Sequence, residues 1–163
     1  MTKIKGVITF VLRLVALAAT IVSTIVMGTA HDSASVLGIK FEAKFTDSPS
    51  FKYYVIIYSI VSFYSLVVLL LPFKKLLWRF TLVLDMMMTL LLTSALAAAL
   101  AIAYVGKKGN SHAGWLAICD QVPKFCDETS GALAVGFVAA IIYLVLLLYS
   151  LHAALSPIFP VSS

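Results

Sequence analysis

The chain has little charge. Only 12% of its 163 residues are Asp, Glu, Lys or Arg, while 62% are hydrophobic. Soluble domains carry about 25% charged residues, so this chain cannot coat a water-facing surface and reads as an integral membrane protein. No run of basic residues exceeds two. The formal charge of +5 therefore does not describe a nucleic-acid surface, and basic residues flanking membrane spans account for it. The sequence also lacks a Gly-rich phosphate loop, an H-E-x-x-H helix and a G-x-S-x-G turn, the local patterns that hold nucleotides, zinc or a nucleophile. Neither an enzyme nor a cofactor is expected. The single asparagine, Asn110, is followed by Ser-His, so there is no N-glycosylation sequon.

What is present is apolar length. A membrane-spanning helix needs about 20 mostly apolar residues, and four windows supply them, at about 7–30, 53–71, 80–105 and 131–155. The expected fold is all-α, a single four-transmembrane-helix bundle over residues 1–163 with short extracellular loops. Tyr53, Tyr54, Trp78, Tyr104 and Trp115 fall at or near span ends, where aromatic belts form. Pro157 and Pro160 stop the last helix. Lys3 and Lys5 ahead of the first window resemble the basic start of a signal peptide, but the apolar stretch of about 24 residues exceeds the 7–15 of such a core, so it reads as a retained span.

Orientation follows from lysine and arginine near span ends. Lys3, Lys5, Lys74, Lys75 and Arg79 crowd short segments on one side, without acids. Lys40, Lys44, Lys52, Lys107, Lys108 and Lys124 are spread over two longer loops with six acids. The termini and the 72–79 turn are expected in the cytoplasm. Cys119 and Cys126, the only cysteines, then share one outside loop. In an oxidising compartment they pair readily; the alternatives are two free thiols or a zinc site, the latter short of ligands.

Two charges interrupt the spans. Asp85 sits inside TLVLDMMMTLLL and Arg13 inside the first window. Counted from the cytoplasmic ends at 1.5 Å per residue, they lie roughly 7–8 Å and 9 Å deep. Charge inside a membrane is costly unless paired, which makes Arg13–Asp85 a structural pair between spans one and three. Snorkelling of Arg13 to the interface, or a proton-relay or transport role for Asp85, are the competing readings. His152 lies near the same leaflet, at the end of span four. Ala132, Gly136 and Ala140 recur every fourth residue in span four; such spacing favours close helix contact, within the chain or with another copy. Met86, Met87 and Met88 read as adaptable filler. In the first outer loop, GIKFEAKF (38–45) alternates apolar and charged residues, a strand signature.

Taken together, VLRLVALAAT with its Arg, TLVLDMMM with its Asp, and GWLAICDQVPKFC with its cysteine pair resemble the Casparian strip membrane domain-like family of land plants. The likeness covers essentially the whole chain. VLRLVALAATIVSTIVMGT, GIKFEAKF and the GWLAIC, KFC and GALA segments resemble its first CASP-like subgroup. Claudins fit less well, since their cysteines lie in the first outer loop. The resemblance implies a plasma-membrane protein with cytoplasmic termini that forms homo- and hetero-oligomers with related membrane proteins. In the founding members such oligomers make immobile domains, block lateral diffusion and guide local cell-wall modification, which implies extracellular cell-wall enzymes as partners. Arg13, Asp85, Cys119 and Cys126 match the family's buried pair and loop cysteines. The first outer loop lacks the founding members' longer signature. The expected function is an oligomerising scaffold of membrane domains, the alternative a small transporter or channel subunit with Asp85 as its ion or proton site.

Overall fold

A computed structural model describes residues 2–36, 39–70 and 78–155. Most of the 72–79 turn, the proline tail and the end of the second window at Leu71 lie outside these residues, as do the side chains of Lys3, Lys5, Lys40, Trp78 and Arg79. Four long helices dominate: α1 (Thr2–Thr29), α2 (Pro49–Leu70), α3 (Trp78–Lys108) and α4 (Pro123–Leu155). All four are long and apolar enough to cross a membrane.

The helices begin earlier than hydropathy suggests. Pro49 and Pro123 open α2 and α4; proline suits a first helical position because its missing N–H would have no partner there. Residues 123–130, expected as loop, instead form two polar turns of α4, spanned by a Lys124–Glu128 contact of 3.8 Å at the i,i+4 spacing of a helix face. At 33 residues, α4 is about 50 Å long, against roughly 30 Å of hydrocarbon, so it projects beyond the membrane.

α1 packs along α2 and α4, and α3 packs along the same two helices. α1 and α3 therefore face each other across one diagonal of a square, and α2 and α4 across the other. The inward positions follow a 3-4 alternation: Ala16, Thr20, Ser23 and Met27 on α1; Phe51, Tyr54, Tyr58, Val61, Ser65 and Val68 on α2. Asp85, Thr89, Leu92, Leu96 and Ala99 continue it on α3, as do Thr129, Ala132, Gly136, Ala139, Tyr143, Leu146 and Ser150 on α4. This is the seam of a left-handed bundle. The outward faces are apolar, with Phe10, Leu14, Phe63, Met87 and Leu148 all exposed. Polar groups inside and hydrocarbon outside is the arrangement that lipid, rather than water, rewards.

The alternating segment forms β2 (Ile39–Lys44), which pairs antiparallel with β1 (His31–Val36) in the register His31 to Lys44 through Val36 to Ile39. A 3₁₀ turn, Phe45–Asp47, leads from this hairpin to α2. At the other loop, Gly109 ends α3 at φ +67°, donating to the Val105 carbonyl at 2.7 Å. A Cβ there would meet the Trp115 carbonyl oxygen at 2.7 Å, so glycine both supplies the left-handed cap and admits the returning chain.

Candidate functional site

The site lies along the bundle axis, where polar side chains cross both diagonals. On the first, Arg13 of α1 reaches Asp85 of α3 with both terminal nitrogens, Nη1 to Oδ1 at 3.1 Å and Nη2 to Oδ2. Tyr64 of α2 donates to Asp85 Oδ1 at 2.7 Å. The side chains of Arg13 and Asp85 are 11% and 3% exposed, so Arg13 does not snorkel. A planar guanidinium matches a carboxylate bidentately, and such pairs are the stronger and more directional ones. Both carboxylate oxygens are committed to this chain, and three helices converge on one buried acid. Tyr143 of α4 hydrogen-bonds Ser65 of α2 and adds a further contact across the bundle.

The second diagonal is crossed without charge. Tyr54 and Tyr58 of α2 are fully buried and stacked, with ring centroids 4.0 Å apart. Tyr58 donates to the Gly136 carbonyl at 3.0 Å. The hydroxyls of Tyr54 and of Ser23 on α1 lie 2.6 Å apart, both within reach of the Ala132 carbonyl, at 3.2 and 2.8 Å. Thr20 and Ser62, 2.9 Å apart, join α1 to α2, and Tyr53 and Ser94, also 2.9 Å apart, join α2 to α3. Helix carbonyls keep a second lone pair after their own backbone bond, and a small residue leaves it accessible. The three links from α2 to α4, Tyr54–Ala132, Tyr58–Gly136 and Ser65–Tyr143, all share a sequence separation of 78. A constant offset means two parallel helices in fixed register, as alternate helices of an up-down bundle must be.

The small residues thus have an occupant within the chain. A Cβ on Gly136 would lie 1.8 Å from the Tyr54 hydroxyl and 3.0 Å from that of Tyr58. The 132/136 notch receives tyrosine side chains from across the bundle, and Ala140 is buried in the same core. Tyr54, placed by sequence in an aromatic belt, belongs to the interior instead. Cys119 and Cys126 form a disulfide that ties the loop after α3 to the first turns of α4. The sequence reading missed Tyr54, Tyr58, Tyr64, Tyr143, Thr20, Ser23 and Ser65. Their signal was available: all but Tyr64 are hydroxyl residues on an inward 3-4 stripe of an otherwise apolar helix, and Tyr64 adjoins Ser65 on that stripe.

A family model, the Casparian strip membrane protein domain, matches residues 3–142. The chain is 56% identical over 162 residues to CASP-like protein 1C3 of Populus trichocarpa, covering 99% of each chain. It is 58% identical to CASP-like protein 1C2 of Ricinus communis, covering 98% of this chain and 97% of that one. It is 59% identical to CASP-like protein 1C1 of Arabidopsis thaliana, covering 90% of each. No solved structure matches.

Proposed function

The chain belongs to the Casparian strip membrane protein domain family and is a multi-pass membrane protein, and from that premise we propose that it is an oligomerising scaffold of the plasma membrane, with both termini cytoplasmic. One observation carries the reading: both oxygens of Asp85, the acid buried within the spans, are taken by Arg13 and Tyr64. A transport site needs a carboxylate free to exchange partners with its cargo. Here the charge holds helices instead, and the bundle presents a firm, apolar outer surface to lipid and to neighbouring copies. The hairpin and the disulfide-tied loop stand together on the other side of the bundle, where they offer a surface to related membrane proteins and to cell-wall enzymes.

The test is lateral mobility of the full-length chain in a plant plasma membrane, with covalent crosslinking to count associated copies. The parent chain is expected to form patches that recover slowly after photobleaching. Arg13→Leu and Asp85→Leu are each expected to disperse them, and the double substitution to restore them in part. If Asp85→Asn left patches and crosslinks unchanged while abolishing a measured ion flux, the scaffold reading would be lost to the transporter one.

A further inference from the structure

The 78-residue register between α2 and α4 has one layer that fails. Adding 78 to Phe51 gives Thr129, the layer nearest the disulfide. Tyr54, Tyr58 and Ser65 each meet a polar group across the diagonal, but Phe51 has none to offer. Thr129 is 2% exposed, and its hydroxyl has no hydrogen-bond partner. The helical threonines Thr24, Thr29, Thr89 and Thr93 each donate to a carbonyl one turn back, at 2.7 to 2.9 Å. Thr129 does not. A buried hydroxyl left unpaired is unfavourable, and nothing in a helix prevents the usual back-bond.

Thr129 lines a cavity of about 50 Å³ together with Phe51, Ile102, Phe125, Lys107, Ser130 and the disulfide cysteines. Ala103, Lys107 and Ser130 also line a wider groove of about 440 Å³ on the lipid-facing side of α3 and α4. The groove is made of two matching stripes, Leu100, Ala103, Tyr104 and Lys107 against Ser130, Leu133, Ala134 and Phe137. Each stripe has the i, i+3, i+4, i+7 spacing of one helix face, so the groove runs about 10 Å along the bundle. Three of its eight lining residues are small, Ala103, Ala134 and Ser130, and its Tyr104 and Phe137 are exposed.

We propose that this groove binds a membrane sterol, with the flat fused-ring body on the Ala103/Ala134 floor and the single ring hydroxyl entering the cavity to hydrogen-bond Thr129. The match rests on two features. The groove is short, which suits a ring system better than a long acyl chain. Charge does not favour an anion: Lys107, Lys108 and Lys124 at this end are offset by Asp120, Asp127 and Glu128, and the Glu128 Oε2 is itself buried without a partner.

The test uses the purified full chain in phosphatidylcholine nanodiscs with a photoactivatable, alkyne-tagged cholesterol. Labelling is expected at residues 100–107 and 130–137, displaced by unlabelled cholesterol and not by cholestane, which lacks the hydroxyl. Thr129→Val removes the hydroxyl at nearly constant volume; labelling is expected to fall about tenfold, the order of one hydrogen bond in a dry site. Because that variant no longer buries an orphan hydroxyl, its melting temperature without sterol is expected to hold or rise. Ala134→Phe, which fills the floor from the lipid side, is expected to abolish labelling. The proposal is overturned if label spreads over all four helices, if Thr129→Val labels like the parent, or if phosphatidic acid displaces the probe as well as cholesterol does. The last result would instead mark a phosphate site at Lys107.

Discussion

The two diagonals of this bundle solve one problem with different materials. Between α1 and α3 the link is an ion pair, Arg13 with Asp85, supported by Tyr64. Between α2 and α4 the links are neutral hydroxyls, from Tyr54, Tyr58 and the Ser65–Tyr143 pair. A buried charge that loses its partner is left in hydrocarbon with no cheap alternative. A hydroxyl that loses its partner forfeits one bond worth about 0.6 kcal/mol on average in membrane proteins. The charged diagonal is therefore an all-or-none latch, whereas the neutral one is graded and distributes the same task over several weaker contacts.

The sharpest way to break that contrast is at Asp85. Asp85→Leu strands the Arg13 guanidinium, and a loss of about 3–5 kcal/mol is expected by the measure of other buried pairs, read as a fall in unfolding midpoint in detergent. Arg13→Leu in the same chain should recover most of it, because the pair's net worth is far smaller than the cost of halving it. If the double variant were no better than Asp85→Leu alone, the latch picture would fail. Next in size is Gly136→Ala. The new Cβ falls within 1.8 Å of the Tyr54 hydroxyl, and the stacked ring has little room to retreat, so overpacking of about 1–3 kcal/mol is expected. Adding Tyr54→Phe should relieve part of it, while Tyr54→Phe alone should cost less than 2 kcal/mol. A Gly136→Ala chain as stable as its parent would mean the two diagonals are not so rigidly registered.

The smallest effect lies outside the membrane. Lys44, 2.5 Å from Glu42, holds its carboxyl below the ordinary range, through a side-chain hydrogen bond first and charge second. A depressed carboxylate pKa stabilises the fold above the unfolded value and ceases to do so as pH falls through the folded one. Both side chains are exposed, so solvent screens the pair. An NMR titration of Glu42 should show its midpoint moving up in Lys44→Ala with little change in melting temperature. A marked loss of stability there would place the hairpin among the elements that hold the bundle.

The sequence disclosed the charged diagonal and hid the neutral one for the same physical reason. Arg and Asp within an apolar run are costly enough to demand an explanation, and depth alone made them partners. Tyrosine is tolerated at the interface and in the core alike, so Tyr54, two residues past Lys52, looked like an anchor. Its role emerges only once α2 is known to begin at Pro49, which moves the residue a turn into the bundle. The start of α4 was hidden likewise. Lys124, Asp127 and Glu128 make 123–130 look like loop when hydropathy is the guide, yet outside the lipid a helix face of that composition is unexceptional. The spacing of Ala132, Gly136 and Ala140 was visible, but not what fills it, because the partner is the side chain of a helix 78 residues away.

That fixed interval has a bearing on which changes of length the chain tolerates. A residue inserted between Leu70 and Pro123 outside α3 alters the count from α2 to α4 but leaves each helix free to keep its azimuth. A residue inserted between Tyr54 and Ser65, or between Ala132 and Tyr143, turns everything beyond it by about 100° and sends hydroxyls to the lipid in place of the axis. Drift in loop length is therefore expected to be neutral among functional sequences of this fold. Single-residue gaps within the helices should be nearly forbidden, and the separation of Tyr54 from Tyr58, or of Ala132 from Gly136, makes a more dependable yardstick for alignment than any loop.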